Sequence, residues 1–121
     1  MNTSNTGDTE QLTFTNLAQL IEDTFEKQLK NSKIDSTKII KNALDKCSEA
    51  DVNCENEDGY TPLEVANSYL NPIYHESIIH TVLNVIELLL CSGAKKDEID
   101  IWDMYCTAKD RSRDDLANML L

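Results

Sequence analysis

The chain has 121 residues, enough for one small domain that buries its own core without staples. It carries 11 Lys plus Arg against 22 Asp plus Glu, a net charge of −11, which repels phosphates and excludes DNA, RNA and anionic membranes as natural partners. One Trp, two Phe, three Gly and two Pro, with apolar content mostly Leu, Ile, Val and Ala, suit helices packed on helices better than a β-sandwich.

Residues 1–11 are rich in Asn, Thr and Ser and almost free of apolar side chains, so they are expected to form a disordered leader ahead of one domain spanning residues 12–121. No basic segment followed by an apolar core marks a signal peptide there. From Asn16 to Lys30, Leu17, Leu20, Ile21, Phe25 and Leu29 recur at helical spacing, and Asn16 or Thr15 can cap. Asn31, Ser32 and Lys33 break that helix. A second begins after Asp35 and Ser36, with Ile39, Ile40, Ala43, Leu44 and Cys47 on one face, and the two should form an antiparallel hairpin. The Lys27, Lys30, Lys33, Lys38 and Lys41 group reads as its solvated face.

The polar stretch from Ser48 to Tyr60 reads as turns. Thr61 can cap a third helix and Pro62 suits its first position, because proline lacks only an N–H that has no helical partner there. Leu63, Ala66 and in part Val65 face inward, and the helix should stop by Asn71, ahead of Pro72. Ser77 can cap a fourth helix, striped by Ile78, Ile79, Val82, Leu83, Ile86, Leu89 and Leu90, with Gly93 placed as its left-handed terminator. The remainder reads as two short helices, one bearing Ile101, Met104, Tyr105 and Ala108, the other Leu116, Met119 and Leu120.

Three pieces in order, Ala50-Asp51-Val52-Asn53, Asp58-Gly59-Tyr60-Thr61-Pro62-Leu63 and Val85 to Ala94, together resemble one unit of the ankyrin-repeat family: a β-turn followed by a helix pair, about 33 residues long. Thr61, Pro62, Leu63 and Ala66 match the start of the unit's first helix; Ile86, Leu89, Leu90, Gly93 and Ala94 match its second helix and exit. Ile39, Ile40, Ala43 and Leu44 resemble the second helix of an N-terminal capping unit, and Arg113 to Leu121 that of a C-terminal one. The chain departs from the family in having Glu64 where a His usually follows Thr-Pro-Leu, in lacking the Gly between the helices, and in being about eleven residues longer between Thr61 and Gly93. The extra residues fall near Leu70 to Ser77 and either lengthen the helices or protrude as a loop. The resemblance implies an all-α fold, a short ankyrin-like α-solenoid of about three helix pairs with β-turn loops between them.

Residues able to do chemistry are scarce. Cys47, Cys54, Cys91 and Cys106 include no Cys-x-x-Cys pair and are expected to be reduced, in a cytoplasmic setting, with Cys47 and Cys91 as small core residues. His75 and His80 lie five apart, the wrong offset for one helical face, so no metal or other cofactor is expected. No Cys sits where its thiolate would be favoured, and neither Gly-x-Ser-x-Gly nor a phosphate loop occurs, so the chain is not expected to be an enzyme. The longest apolar run, Val82 to Cys91, is too short and too interrupted to span a bilayer.

The acids, in contrast, cluster. Asp45, Glu49, Asp51, Glu55, Glu57, Asp58 and Glu64 face only Lys46 over that stretch. The resemblance implies that Glu55, Glu57, Asp58 and Tyr60 stand on an exposed turn, with Asn67, Ser68 and Tyr69 on the adjoining inner face, where ankyrin-type domains bind protein partners; Glu64, the last acid of the cluster, joins these as a candidate partner-binding residue. Tyr60 and Tyr69 would supply buried area and the acids a complement to a basic partner; the plainer reading is a loop that is acidic because loops are polar. Ile73, Tyr74 and His75, in the inserted segment, form a second candidate surface or else cover the lengthened helices. The expected function is a monomeric protein-interaction module without turnover. The alternative is an inhibitor or immunity protein that neutralises a basic enzyme or toxin.

Overall fold

Local capping chemistry sets where the helices begin. Seven helices and no strand make up the described residues, 16–96 and 98–121, of the computed structural model: α1 (Leu17–Lys30), α2 (Ser36–Leu44), α3 (Glu49–Val52), α4 (Pro62–Ser68), α5 (Glu76–Cys91), α6 (Glu98–Asp110) and α7 (Asp114–Leu120). The predicted leader over residues 1–11 lies outside the described residues. Asn16 Oδ1 accepts from the Gln19 amide at 3.0 Å and Asp35 Oδ1 from that of Lys38 at 3.1 Å, satisfying donors that have no partner within the helix. At α4 the cap is reciprocal: Thr61 Oγ1 accepts from the Glu64 amide at 3.2 Å, and Glu64 Oε1 accepts from that of Thr61 at 2.9 Å. The residue that departs from the family pattern thus closes a capping box.

Two boundaries differ from expectation. Ser48 and Asp51 close a second capping box and start the short α3, in a stretch read as turns alone. Helix α5 starts at Glu76, because His75 rather than Ser77 is its cap, with Nδ1 accepting from the Ser77 amide. Its other end falls as expected. Gly93 has φ +100°, the Ala94 amide donates to the Leu89 carbonyl at 2.9 Å and the Gly93 amide to that of Leu90 at 3.2 Å, a paired closure open to few residues other than glycine. Gly93→Ala should cost about 1–2 kcal/mol through the left-handed backbone alone. The new methyl would meet only the Glu49 side chain, with Cγ at 3.1 Å, and that chain can swing aside. Urea unfolding checks the figure; a loss below a few tenths of a kcal/mol would contradict it.

Helix α1 packs on α2 and on α4; α4 packs on α5 and α6; α2 packs on α5, and α6 on α7. The core that holds these pairs is drawn from every long helix: Leu17, Ile21 and Phe25, then Ile40, then Leu83, Ile86 and Leu89, then Met104, Leu116 and Leu120. Burial of each such side chain contributes ~1.5–3 kcal/mol. The apolar faces are narrower than sequence spacing suggests. Leu29 and Ile39 stay exposed and Leu90 is half-buried, whereas Val85, which the expected stripe does not include, is buried. Cys91 is exposed and Cys47 half-buried, so neither is the core residue expected of it.

Polar links cross between helices. The buried Ser36 hydroxyl donates to Gln28 Oε1, and Gln28 Nε2 donates to Thr81 Oγ1 at 3.2 Å, so one carboxamide joins α1, the first turn of α2 and α5. Asn53 does the same between loops: Nδ2 donates to the carbonyls of Glu49 and Gly93 at 3.0 Å each, and Oδ1 accepts from the Lys95 amide at 2.8 Å. At the far end Arg111 forks onto Glu76 at 2.6 and 3.0 Å, and Arg113 bonds Asn84 at 2.9 Å and Glu87 at 2.7 Å, which ties the segment between α6 and α7 to α5. The hydrogen bond from Arg111, and then its charge, hold the Glu76 carboxyl below the usual carboxylate range.

Candidate functional site

The acidic segment ahead of α4 is folded by one asparagine. Asn56 Oδ1 accepts from the amides of Asp58 at 2.9 Å and Tyr60 at 3.0 Å, while its own amide donates to the Tyr60 carbonyl at 2.9 Å and its carbonyl accepts from Gly59 at 3.0 Å. Gly59 takes φ +87°, which lets the chain reverse without side-chain strain. The base of this turn is tied to the start of α1, where Asn16 Nδ2 donates to the Glu55 carbonyl at 3.0 Å. Glu55, Glu57, Asp58 and Tyr60 are accordingly held out in solvent, Tyr60 with 54% of its surface exposed.

Behind the turn lies an open groove of about 410 Å³. It is lined by Asp58, Tyr60, Glu64, Ser68 and Tyr69 from the expected set, and by Glu22, Asn56, Val65 and Tyr74. Glu55 and Glu57 line a neighbouring groove of about 520 Å³ with Asn16, Gln19 and Asn56. Asn56 is common to both, so seven of the eight expected residues fall on two adjoining depressions. The eighth, Asn67, lines neither. It is half-buried, and its Oδ1 is shut from solvent without a hydrogen-bond partner.

Tyr69 departs from expectation. The ankyrin resemblance implies a place on a free inner face, but Tyr69 is only 6% exposed. Its ring meets Phe25 edge-on at 5.0 Å and stacks against Tyr74 at 5.5 Å, and its hydroxyl donates to Glu26 Oε2 at 2.6 Å. Helix α1 covers it, and helix stacking of that kind is invisible in local spacing. Burial first, and then the hydrogen bond to Glu26, push its phenol well above the ordinary range, so it remains a neutral donor. Tyr69 is therefore a held wall of the groove, with little of its surface exposed.

The two surfaces read separately from sequence merge here. Tyr74, from the segment between α4 and α5, leans on Tyr69 and joins the groove, whereas Ile73 is 79% exposed. Glu22 was not legible as a site residue. Its only signal is an acid on the polar side of α1, and it reaches the groove because α1 packs on α4.

The polar side chains that line these grooves are carboxylates, carboxamides, a serine and tyrosines. Among the described residues no group of three or more His, Cys, Asp and Glu side chains is arranged to hold a metal ion, and no helix is long and apolar enough to cross a membrane. All four cysteines are free thiols; burial, and then Asp51, raise the pKa of Cys47, the opposite of what an activated thiolate needs. Comparison with protein-family models, with curated proteins and with solved structures returned no match.

Proposed function

We propose that the chain is a protein-binding module, an ankyrin-like stack of helix pairs that grips a basic partner through its acidic turn and the two grooves beside it, without catalysis. The observation that carries this reading is the convergence of Asp58, Tyr60 and Glu64 with Glu22 of α1 on one open groove, next to a second groove bearing Glu55 and Glu57. Tyrosine rings supply contact area at small entropic cost, and the carboxylates speed encounter with a cationic surface. The ankyrin-like arrangement draws support from the contacts: the first helices of successive pairs, α1, α4 and α6, lie against one another in turn, and the second helices α2 and α5 do likewise. Asn53 links the exit of one pair to the exit of the next, as a repeating unit requires. The module would work as a monomer in the cytoplasm.

A second reading is favoured by the five carboxylates Glu22, Glu55, Glu57, Asp58 and Glu64 on adjoining surface. Such an array imitates the phosphates that a nucleic-acid-binding enzyme or toxin recognises, and an inhibitor or immunity protein would use it to block that enzyme. Affinity capture from native lysate followed by mass spectrometry identifies the partner. The triple variant Glu55→Gln, Glu57→Gln, Asp58→Asn should then associate roughly three- to tenfold more slowly with it, and an unchanged on-rate removes the acidic surface from the reading. Steep loss of affinity with added salt separates the inhibitor from a general adaptor, whose affinity varies little.

A further inference from the structure

We propose that the groove lined by Glu22, Asp58, Tyr60, Glu64 and Tyr74 is a socket for a single arginine side chain projecting from an extended segment of the protein partner. The inference rests on the reading of this face as a protein-binding surface and specifies the group that it takes.

The lining combines two chemistries that one cation satisfies together. Its carboxylates come from three separate elements, Glu22 from α1, Asp58 from the turn and Glu64 from α4, and no Lys, Arg or His lines it. Among the described residues no ion pair engages any of the three, and only Glu64 has a carboxylate hydrogen bond, through Oε1 to the Thr61 amide. Glu22 and Glu64 are half-buried, so their charge is less screened than that of a free surface acid. Like charges converging in a depression repel, and a bound cation relieves that repulsion.

The remaining walls are aromatic. Tyr74 stacks on Tyr69 with an interplanar angle of 28°, and Tyr69 is itself pinned by Phe25 and Glu26, so this wall is pre-organised. Tyr60 lines the same groove from the turn, with more than half of its surface free to cover a ligand. An anion is repelled here, and an apolar group leaves the carboxylates desolvated without compensation. An ammonium ion gains the charge but not the stacking. A guanidinium gains both, because its plane lies on a tyrosine face while its N–H fork reaches carboxylates at the edge. With a volume of about 410 Å³ and an open mouth, the groove admits a long side chain from above but not a helix.

The test is a nuclear magnetic resonance titration of the full isotope-labelled chain with three synthetic peptides that are identical except for one central residue: arginine, lysine or citrulline, the uncharged isostere. The arginine peptide should shift the amides of Glu22, Tyr60, Glu64 and Ser68 and the ring signals of Tyr60 and Tyr74. The lysine peptide should bind about threefold more weakly and the citrulline peptide about tenfold more weakly. Glu22→Gln combined with Tyr60→Ala should weaken arginine binding about tenfold while the circular dichroism and thermal midpoint stay unchanged, because neither side chain carries an internal bond of the fold. Equal binding of citrulline and arginine, or arginine-induced shifts that avoid the groove, overturns the socket. The peptides need no natural partner, and Glu22 and Tyr60 lie outside the triple variant above. A groove that ignores arginine while the triple variant still loses its captured partner refutes the socket alone. Arginine binding with capture untouched by the triple variant supports the socket and refutes only the wider reading.

Discussion

Tyr69→Ala is expected to cost about 3–5 kcal/mol of folding stability, the range for removing a large aromatic side chain from a core. The residue is 6% exposed and holds the edge of Phe25, the face of Tyr74 and an oxygen of Glu26 at once. Tyr69→Phe keeps the ring contacts and loses only the hydroxyl, so it should cost about 1 kcal/mol, since the released Glu26 carboxylate is exposed and returns to water. Urea unfolding of both variants checks the pair; equal, small losses would mean that the ring is a surface contact after all. The pH dependence has a definite sign. The folded state raises the phenol pKa, so it favours the neutral form, and the stabilisation is intact below the ordinary phenol range and declines as pH rises through and beyond it. Tyr69→Phe should abolish this alkaline sensitivity.

The second large effect should come from the buried carboxamide. Gln28 is 8% exposed and Ser36 1%. In Gln28→Ala the Ser36 hydroxyl keeps no acceptor in a place that water does not reach, and the packed stem is lost as well. The expected cost is about 2–4 kcal/mol. Thr81 suffers less, because its hydroxyl still donates to the Ser77 carbonyl at 3.0 Å. Ser36→Ala made in the Gln28→Ala background should therefore cost little or restore stability, giving a coupling of about 1 kcal/mol or more in a double-mutant cycle. Strict additivity would show that the two side chains act independently.

Much of the local structure was legible because it depends on near neighbours in sequence. The cap at Thr61, the cap placed at Asn16 or Thr15, the stop at Gly93 and the apolar stripe of α5 each require residues within a turn of one another; Asp35, the residue just ahead of α2, was not read as its cap. The errors were local too. The box formed by Ser48 and Asp51 makes a helix of only four residues, too short for any apolar period to reveal. His75 caps α5 through a ring nitrogen, an uncommon acceptor for that position. Ile39 and Cys91 lie at helical spacing from core residues, yet fall outside the arcs that neighbouring helices cover.

The candidate site divides along the same line. Glu55, Glu57, Asp58 and Tyr60 could be picked out because acids cluster in that polar stretch and the ankyrin resemblance implies an exposed turn there; the Asn56 side chain that holds the turn was not read from sequence. Glu22 and Tyr74 reach the groove only because α1 lies on α4 and because the segment between α4 and α5 brings Tyr74 onto Tyr69.

The order of residues alone determined the all-helical fold of the described residues, the ends of most helices and the acidity of the turn, since caps, turn geometry and net charge are properties of short segments. Tertiary packing alone decided that Tyr69 is a wall instead of a contact, that Gln28 joins three helices, and that two acidic surfaces share one asparagine. Those outcomes depend on which helix face is covered by a segment distant in sequence, and the spacing of residues within one helix says only which face is apolar, not what comes to lie against it.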